Sequence, residues 1–440
     1  MQSIAPGAGE HVRGAANATF RSLRVRNFRL FFGGQLVSQA GNWMTLIAQT
    51  LLVLHLTHDG VAVGLMTACQ FLPVLLFGAW AGVIADRSDK RRLLIGIQTF
   101  AMVQSFALAA LAFMDHPPLI SFYLLAMAGG LATAFDNPAR RSFVVEMVPE
   151  QDVSNAVSLN SALMTGSRMV GPALAGVVIQ VAGYGWCFAI DGISYIAVIA
   201  AYWLMRTREL RPAPVTPRGK GQVRAGFRYV RATPDLWIPL VMVAIVGTLS
   251  FNFQVVFPLL VTRTFGGNDA SFTLLFSTLS LGSMLGALAT ARRISITVRH
   301  VIVASAAFGA AMLLFAGAPT LAFAFPLAVL VGATSMTFMT SATGIMQLRA
   351  EPQMRGRVLA LQSMVFLGST PIGGPLLGAV CDEWGARAGV LVGAVAAFAA
   401  AVWGTVAVRH SLRSSRARSQ RSEPQARVPP LRVPDPTPPG

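Results

Sequence analysis

Charge is scarce in this sequence. Only 12% of its 440 residues are Asp, Glu, Lys or Arg, while 54% are hydrophobic. A soluble domain carries roughly 25% charged residues, and a single soluble core cannot bury this much apolar surface. A bilayer can. Cysteine is scarcer still: Cys69, Cys187 and Cys381 are scattered, with neither metal-ligand spacing nor the pattern of a disulfide framework. The six His are scattered as well, so no metal is expected. A phosphate-cradling Gly loop ending in Gly-Lys-Ser/Thr is missing, which argues against ATP as an energy source within the chain, and no cofactor is expected. Clustered His, Asp or Glu at one interface, which an integral-membrane enzyme acting on lipid would need, are missing too, so the chain does not read as an enzyme. Residues 1–19 lack the apolar core of a signal peptide, and the first apolar stretch is expected to serve as its own insertion signal.

What the chain does have is a long-period alternation. Nearly charge-free windows recur at about 30–54, 61–85, 93–114, 119–135, 156–181, 186–205, 236–261, 271–291, 301–317, 320–344, 358–380 and 386–408. Each approaches the ~20 apolar residues that cross ~30 Å of hydrocarbon. Inside lipid every backbone N–H and C=O must be satisfied, and long unbroken apolar runs satisfy them as helices rather than as barrel strands. The expected fold is therefore an all-α membrane protein with twelve transmembrane helices in two six-helix bundles.

The net charge of +17 does not mark a nucleic-acid binder, because of where it sits. Of the 35 Lys and Arg, 32 fall in the two tails and in every second loop. The intervening loops hold Arg263 and Arg387, and Arg168 lies inside a window. This is the positive-inside bias, and it predicts that both termini are cytoplasmic. Partners are accordingly membrane lipids and a small solute, with no nucleic acid, and the chain is expected to be a monomer.

The longest interior break, Arg206–Asp235, divides the windows six and six. It contains Pro212, Pro214 and Pro217, then a basic stretch over 223–232 that reads as a short helix on the inner leaflet. The expected organisation is a flexible tail over 1–19, a first bundle over 20–205, a linker over 206–235, a second bundle over 236–408 and a disordered tail over 409–440. Gly171-Pro172 in the fifth window and Gly374-Pro375 in the eleventh occupy equivalent places, as do Arg91-Arg92 and Arg292-Arg293. These matches predict a parallel internal repeat about an axis along the membrane normal, with a central cleft between the halves.

Three motifs carry a family resemblance. After the second window stands Gly82-Val-Ile-Ala-Asp86-Arg87-Ser88-Asp89-Lys90-Arg91-Arg92. It resembles the loop signature of the major facilitator superfamily, with Asp89 where the second Gly is usual. The fifth window carries Gly166-Ser-Arg168-Met-Val-Gly171-Pro172-Ala-Leu-Ala175-Gly176, similar to the antiporter motif of exporters in that superfamily, with Ala175 in place of one Gly. The third set, Phe28-Arg29-Leu30-Phe31, Pro138-Ala139-Arg140-Arg141-Ser142 and Arg355-Gly356-Arg357-Val358, is similar to the exporter group that includes the enterobactin exporter and macrolide efflux proteins. The resemblance implies export rather than uptake, rocking of two halves about a midplane site, and exchange for protons across the bacterial cytoplasmic membrane. It also implies a conformational latch formed by Gly82, Asp86, Arg87, Arg91 and Asp136. A transport-inactive scaffold or sensor of the same fold is the alternative.

Ionisable groups at bilayer depth are costly and tend to mark function. Arg168 in the fifth window and Asp191 in the sixth come to similar depth at ~1.5 Å rise per residue. They are expected to form an intramembrane pair that is either coupled to turnover or static, with Asp191 simply reaching the outer interface as the alternative. In the first window Gln35, Gln39, Asn42, Thr45 and Gln49 recur at three and four residues as a polar stripe. That stripe, with Asn252, Gln254 and Gln362, is expected to line the cleft, interhelical hydrogen bonding being the competing role.

Overall fold

The computed structural model describes residues 19–211, 222–291 and 296–422. Fourteen α-helices run through them. In the first half these are α1 (Arg26–Thr57), α2 (Gly60–Arg87), α3 (Lys90–Ala112), α4 (Leu119–Glu146), α5 (Val153–Ala182) and α6 (Tyr184–Trp203). A short α7 (Gln222–Ala232) follows, then α8 (Pro234–Leu249), α9 (Phe253–Leu259), α10 (Asp269–Ala291), α11 (Val298–Ala316), α12 (Leu321–Arg349), α13 (Pro352–Trp384) and α14 (Ala386–Ser422).

Eleven helical segments are long and apolar enough to cross a membrane, and the chain is a multi-pass membrane protein. The helix that composition leaves out is α1. Its 32 residues make a rod of about 48 Å, longer than the hydrocarbon core, but its Gln, Asn, Ser and Thr lower its hydropathy. Segments α8 and α9 belong to one apolar run, Pro234–Thr264, interrupted near Ser250. There the Asn252 side-chain amide donates to Thr248 O at 2.7 Å, replacing the backbone donor that the break removes. Ser250 Oγ donates to Gly393 O of α14 at 2.7 Å.

Small residues let the helices approach closely. In the first half Gly130 of α4 abuts the Gln70 carbonyl of α2. In the second half Gly332 of α12 abuts the Leu279 carbonyl of α10, so the same helix pair is closest in each half. The halves meet along two further pairs, α2 with α13 and α5 with α10. The linker helix α7 inserts Val230 among Leu236, Leu240, Met346, Ala350 and Val358, and Phe227 lies edge-on to Trp237 at 5.9 Å.

Helix boundaries differ from the sequence windows in ways that matter. Helix α4 runs eleven residues past 135, to Glu146, carrying Asp136 and Arg140 into the packed interior rather than a loop. Helix α14 continues to Ser422, so the tail expected to be disordered from 409 begins as helix; no Pro or Gly interrupts the chain between Gly404 and Pro424. Residues 1–18, 212–221, 292–295 and 423–440, which include Pro212, Pro214, Pro217 and Arg292-Arg293, lie outside the described residues.

Candidate functional site

The polar stripe of α1 is consumed by neighbouring helices instead of lining the cleft as a set. Gln35 Nε2 donates to Tyr202 Oη of α6 at 3.2 Å, and Gln39 Nε2 donates to Gln35 Oε1 at 3.0 Å. Gln49 Nε2 donates to the Phe122 carbonyl of α4 at 3.1 Å, while its Oε1 accepts from Gln70 Nε2 of α2 at 3.2 Å. Thr45 Oγ1 donates to Asp191 Oδ2 of α6 at 2.8 Å. Of the stripe, Asn42 alone is exposed. The physical reason is azimuth: this face of α1 turns toward α4 and α6, and a buried amide or hydroxyl must find a protein partner. The second-half set behaves similarly. Gln362 Nε2 donates to Thr343 Oγ1 at 2.7 Å, Asn252 is buried with its Oδ1 unpartnered, and Gln254 is half-buried.

Asp191 is fully enclosed by hydroxyls. Besides Thr45, Ser105 Oγ of α3 donates to Oδ2 at 2.9 Å and Ser194 Oγ reaches Oδ1 at 3.5 Å. Gly41 of α1 makes the room, since a Cβ there would stand 2.6 Å from Asp191 Oδ1. The expected pairing with Arg168 does not form. The Arg168 guanidinium lies over the Trp43 ring, 5.5 Å from its centroid, with Nε enclosed and unpartnered. Helix α1 packs against both α5 and α6, and the two side chains address different faces of it.

A buried ion pair does exist nearby, on the part of α4 that extends beyond the fourth apolar window. Arg140 Nε lies 3.0 Å from Asp136 Oδ2, one turn earlier on α4. Arg140 also reaches Asn137 Oδ1 at 3.1 Å and Gln35 Oε1 at 3.4 Å, and Gln98 Nε2 donates to Asp136 Oδ1 at 2.8 Å. The i, i+4 spacing of these two charges was the available signal.

Of the residues expected to latch the halves, Arg91 and Asp136 bond within the first half in this conformation. Arg91 donates from Nε to Tyr202 O at 2.6 Å and from Nη2 to Trp203 O at 3.3 Å, capping the end of α6. Beside it Lys90 and Glu146 form a buried ion pair at 2.6 Å. Asp89 is the N-cap of α3, accepting from Arg92 N at 3.0 Å, so the residue that replaces the usual Gly supplies a helix start. Gly82 and Asp86 are half-buried and Arg87 is exposed. In the antiporter-like motif, Gly171 abuts Trp43 and Ala40 of α1, Gly176 abuts Thr273 of α10, Gly166 faces open space, and Pro172 is buried.

The contacts that clasp the halves cluster at the opposite face. Asp382, near the end of α13, accepts from Gly60 N and Val61 N at the start of α2, both at 2.9 Å. Arg263 donates to Asp382 Oδ1 at 2.6 Å and to the His58 carbonyl at 2.6 Å. Asp59 hydrogen-bonds to Asp382, which raises the Asp59 carboxyl above its ordinary value, with burial adding to the shift. Tyr184 Oη of α6 donates to Asp269 Oδ2 of α10, a second clasp. Along the α2–α13 seam, a Cβ on Gly64 would stand 2.5 Å from Gly374 O, and Gly378 abuts the Gly60 carbonyl. Nearer the basic face, Gly78 of α2 and Gly166 of α5 meet nothing within 4 Å. The described hydrogen bonds between the halves thus gather at the face of Asp59 and Asp382, and we read the halves as a wedge that narrows there and widens toward the face of Lys90 and Arg91. The clasp residues had faint signals in the sequence: Asp59-Gly60 reads as a helix start, and Arg263 is a rare cation in a charge-poor loop.

Comparison with known proteins agrees with this architecture. A family profile described as "Transmembrane secretion effector" matches residues 17–434. The chain is 25% identical over 364 residues to the staphyloferrin A transporter of Staphylococcus aureus, covering 81% of this chain and 90% of the relative. It is 22% identical over 360 residues to macrolide efflux protein A of Streptococcus pyogenes, covering 80% of this chain and 89% of the relative. Among solved structures, a variant of the nucleoside transporter NupG superposes with a TM-score of 0.71 at 14% identity, covering 88% of this chain and 99% of that one; this likeness speaks to the fold alone.

Proposed function

Because the chain belongs to the transmembrane secretion effector family of major facilitator transporters, we propose that it exports a small organic molecule from the cytoplasm in exchange for protons. The relatives' names favour a siderophore-like or hydrophobic drug-like cargo. The observation that carries the reading is the wedge itself. Two halves joined by a polar clasp at one face and spread at the other are what alternating access requires, and two such faces have no use in a static scaffold.

On this reading α1 is the twelfth crossing, α8 and α9 share one crossing, and the helices form two six-helix bundles. The face rich in Arg and Lys is cytoplasmic by the positive-inside rule, so both termini are cytoplasmic and the conformation is inward-facing. Gly82, Asp86, Arg87, Arg91 and Asp136 would latch the halves in the opposite conformation, when the basic ends of α2 and α13 close. Asp191 is the candidate proton carrier: a carboxylate at membrane depth, enclosed by hydroxyls that can hold either protonation state. The export test is flux in proteoliposomes under an imposed pH gradient, with a panel of siderophores and drugs. Gradient-dependent efflux that stops on collapse of the gradient is expected; flux indifferent to the gradient would remove proton antiport, and no flux with any cargo would favour the scaffold.

A further inference from the structure

We propose that Arg168 and Trp43 form an anion-recognition subsite in the central cleft, and that the transported molecule carries a carboxylate or a comparable planar anionic group that docks there. The inference rests on the transport reading and adds a substrate class to it.

The position of Arg168 follows from the motif that surrounds it. At ~100° per residue, Arg168 lies roughly 60° from Gly171 on one side and roughly 80° from Gly176 on the other. Gly171 is pressed against α1 and Gly176 against α10 of the other half. Arg168 therefore points between a helix of the first half and a helix of the second, which is the cleft. It stands at the middle of α5, fifteen residues after the helix begins at Val153, hence near the midplane. On the same sector, toward the spread face, Ser161 is exposed and Thr165 half-buried.

Its bonding is incomplete in a way that points to a ligand. Nε is enclosed with no hydrogen-bond partner, while the residue as a whole is only half-buried. No ion pair reaches it among the described residues. Asp191, the carboxylate at matching depth, is taken by Thr45, Ser105 and Ser194, and Asp136 is taken by Arg140 and Gln98. The guanidinium carbon lies over the indole face of Trp43, 5.5 Å from its centroid, a contact that attracts the cation without neutralising its charge. Trp43 is itself fixed by Gly171, whose lack of a side chain lets α5 close on the Trp43 Cβ. A guanidinium so placed presents parallel N–H donors, the geometry that receives a carboxylate in bidentate fashion. An unpaired cation at this depth is costly, and a cargo anion would relieve that cost in the loaded state alone, coupling occupancy to closure of the spread face.

Binding without transport separates this inference from the export reading. Purified full-length protein in phosphatidylcholine nanodiscs is titrated calorimetrically with 2-naphthoate, 2-naphthylmethanol and 2-naphthylmethylammonium, which differ in charge and share one ring system. The carboxylate is expected to bind about tenfold or more tighter than the alcohol. Arg168→Gln should erase that preference and leave the alcohol's affinity within about twofold, and Arg168→Lys should restore part of it, since a point charge replaces a planar fork. Equal binding of all three probes, tightest binding of the ammonium, no binding of the carboxylate at millimolar concentration, or a preference that survives Arg168→Gln would each overturn the proposal. If Arg168→Gln unfolds the protein, Trp43→Leu provides the second reading, and an unchanged carboxylate preference in that variant would count against the subsite. Flux lost in proteoliposomes with the binding preference intact would refute export and spare the subsite.

Discussion

Gly64 is where the wedge can be pried open with one methyl group. A Cβ at this position would stand 2.5 Å from Gly374 O and 2.7 Å from Pro375 Cα, both backbone atoms of α13 in the other half. Neither atom can rotate away, so the Gly64→Ala variant must push α2 from α13 to keep the clasped conformation. Overpacking of this kind costs about 1–3 kcal/mol. The gain in helix propensity on replacing Gly, about 1 kcal/mol, applies to α2 in both conformations and cancels between them. At about 1.4 kcal/mol per factor of ten, the clasped population should fall relative to the open one by roughly fivefold to 140-fold. Electron–electron distance measurements between spin labels on Asp115→Cys and Glu383→Cys, exposed on the clasped face in opposite halves, would report the change as a new long-distance population. Gly78→Ala on the same helix is the control, because nothing lies within 4 Å of a Cβ there. An unchanged distance distribution in Gly64→Ala, or an equal change in Gly78→Ala, would refute the claim that this seam holds the face shut.

The remaining predictions concern charge. Asp59 is protonated more readily than an ordinary carboxyl because it hydrogen-bonds to Asp382. The stability it lends the clasp is therefore complete below the ordinary value of 3.8 and is lost as pH rises through the raised value. The same spin labels should show the clasped face opening as pH rises, and Asp59→Asn should abolish that dependence; a pH response surviving in Asp59→Asn would contradict the shared-proton clasp. Lys90→Met should lower stability by roughly 3–5 kcal/mol in thermal unfolding, since it removes the cation 2.6 Å from the buried Glu146 carboxylate, whereas Lys90→Met with Glu146→Met should lose less. If the double variant is no better than the single, the loss is packing and not lost charge pairing. Asp191→Asn preserves the hydroxyl contacts, because Thr45, Ser105 and Ser194 can turn to donate or accept. It should unfold within a few degrees of the parent yet lose gradient-driven flux, and unimpaired flux would remove Asp191 from the coupling mechanism.

Several features were legible in the chain before any coordinates. Scarce charge and long apolar runs require a bilayer and helices, because an unpaired backbone group in lipid is intolerable. The alternation of Arg and Lys orders the loops, and the motifs around Gly82 and Gly171 point to the family. All of these are one-dimensional properties, set by composition and by period along the chain. The depth of Arg168 and Asp191 belongs with them, because rise per residue is constant. Which residue each meets was decided only by packing. Helix α1, placed against both α5 and α6, gives Asp191 to Thr45 and Arg168 to Trp43. The same azimuth turns most of the α1 stripe away from the cleft. The clasp of Asp59, Arg263 and Asp382 joins residues more than 300 positions apart at its extremes. It exists because the two halves meet along glycine seams, a contact that neither half's own periodicity encodes.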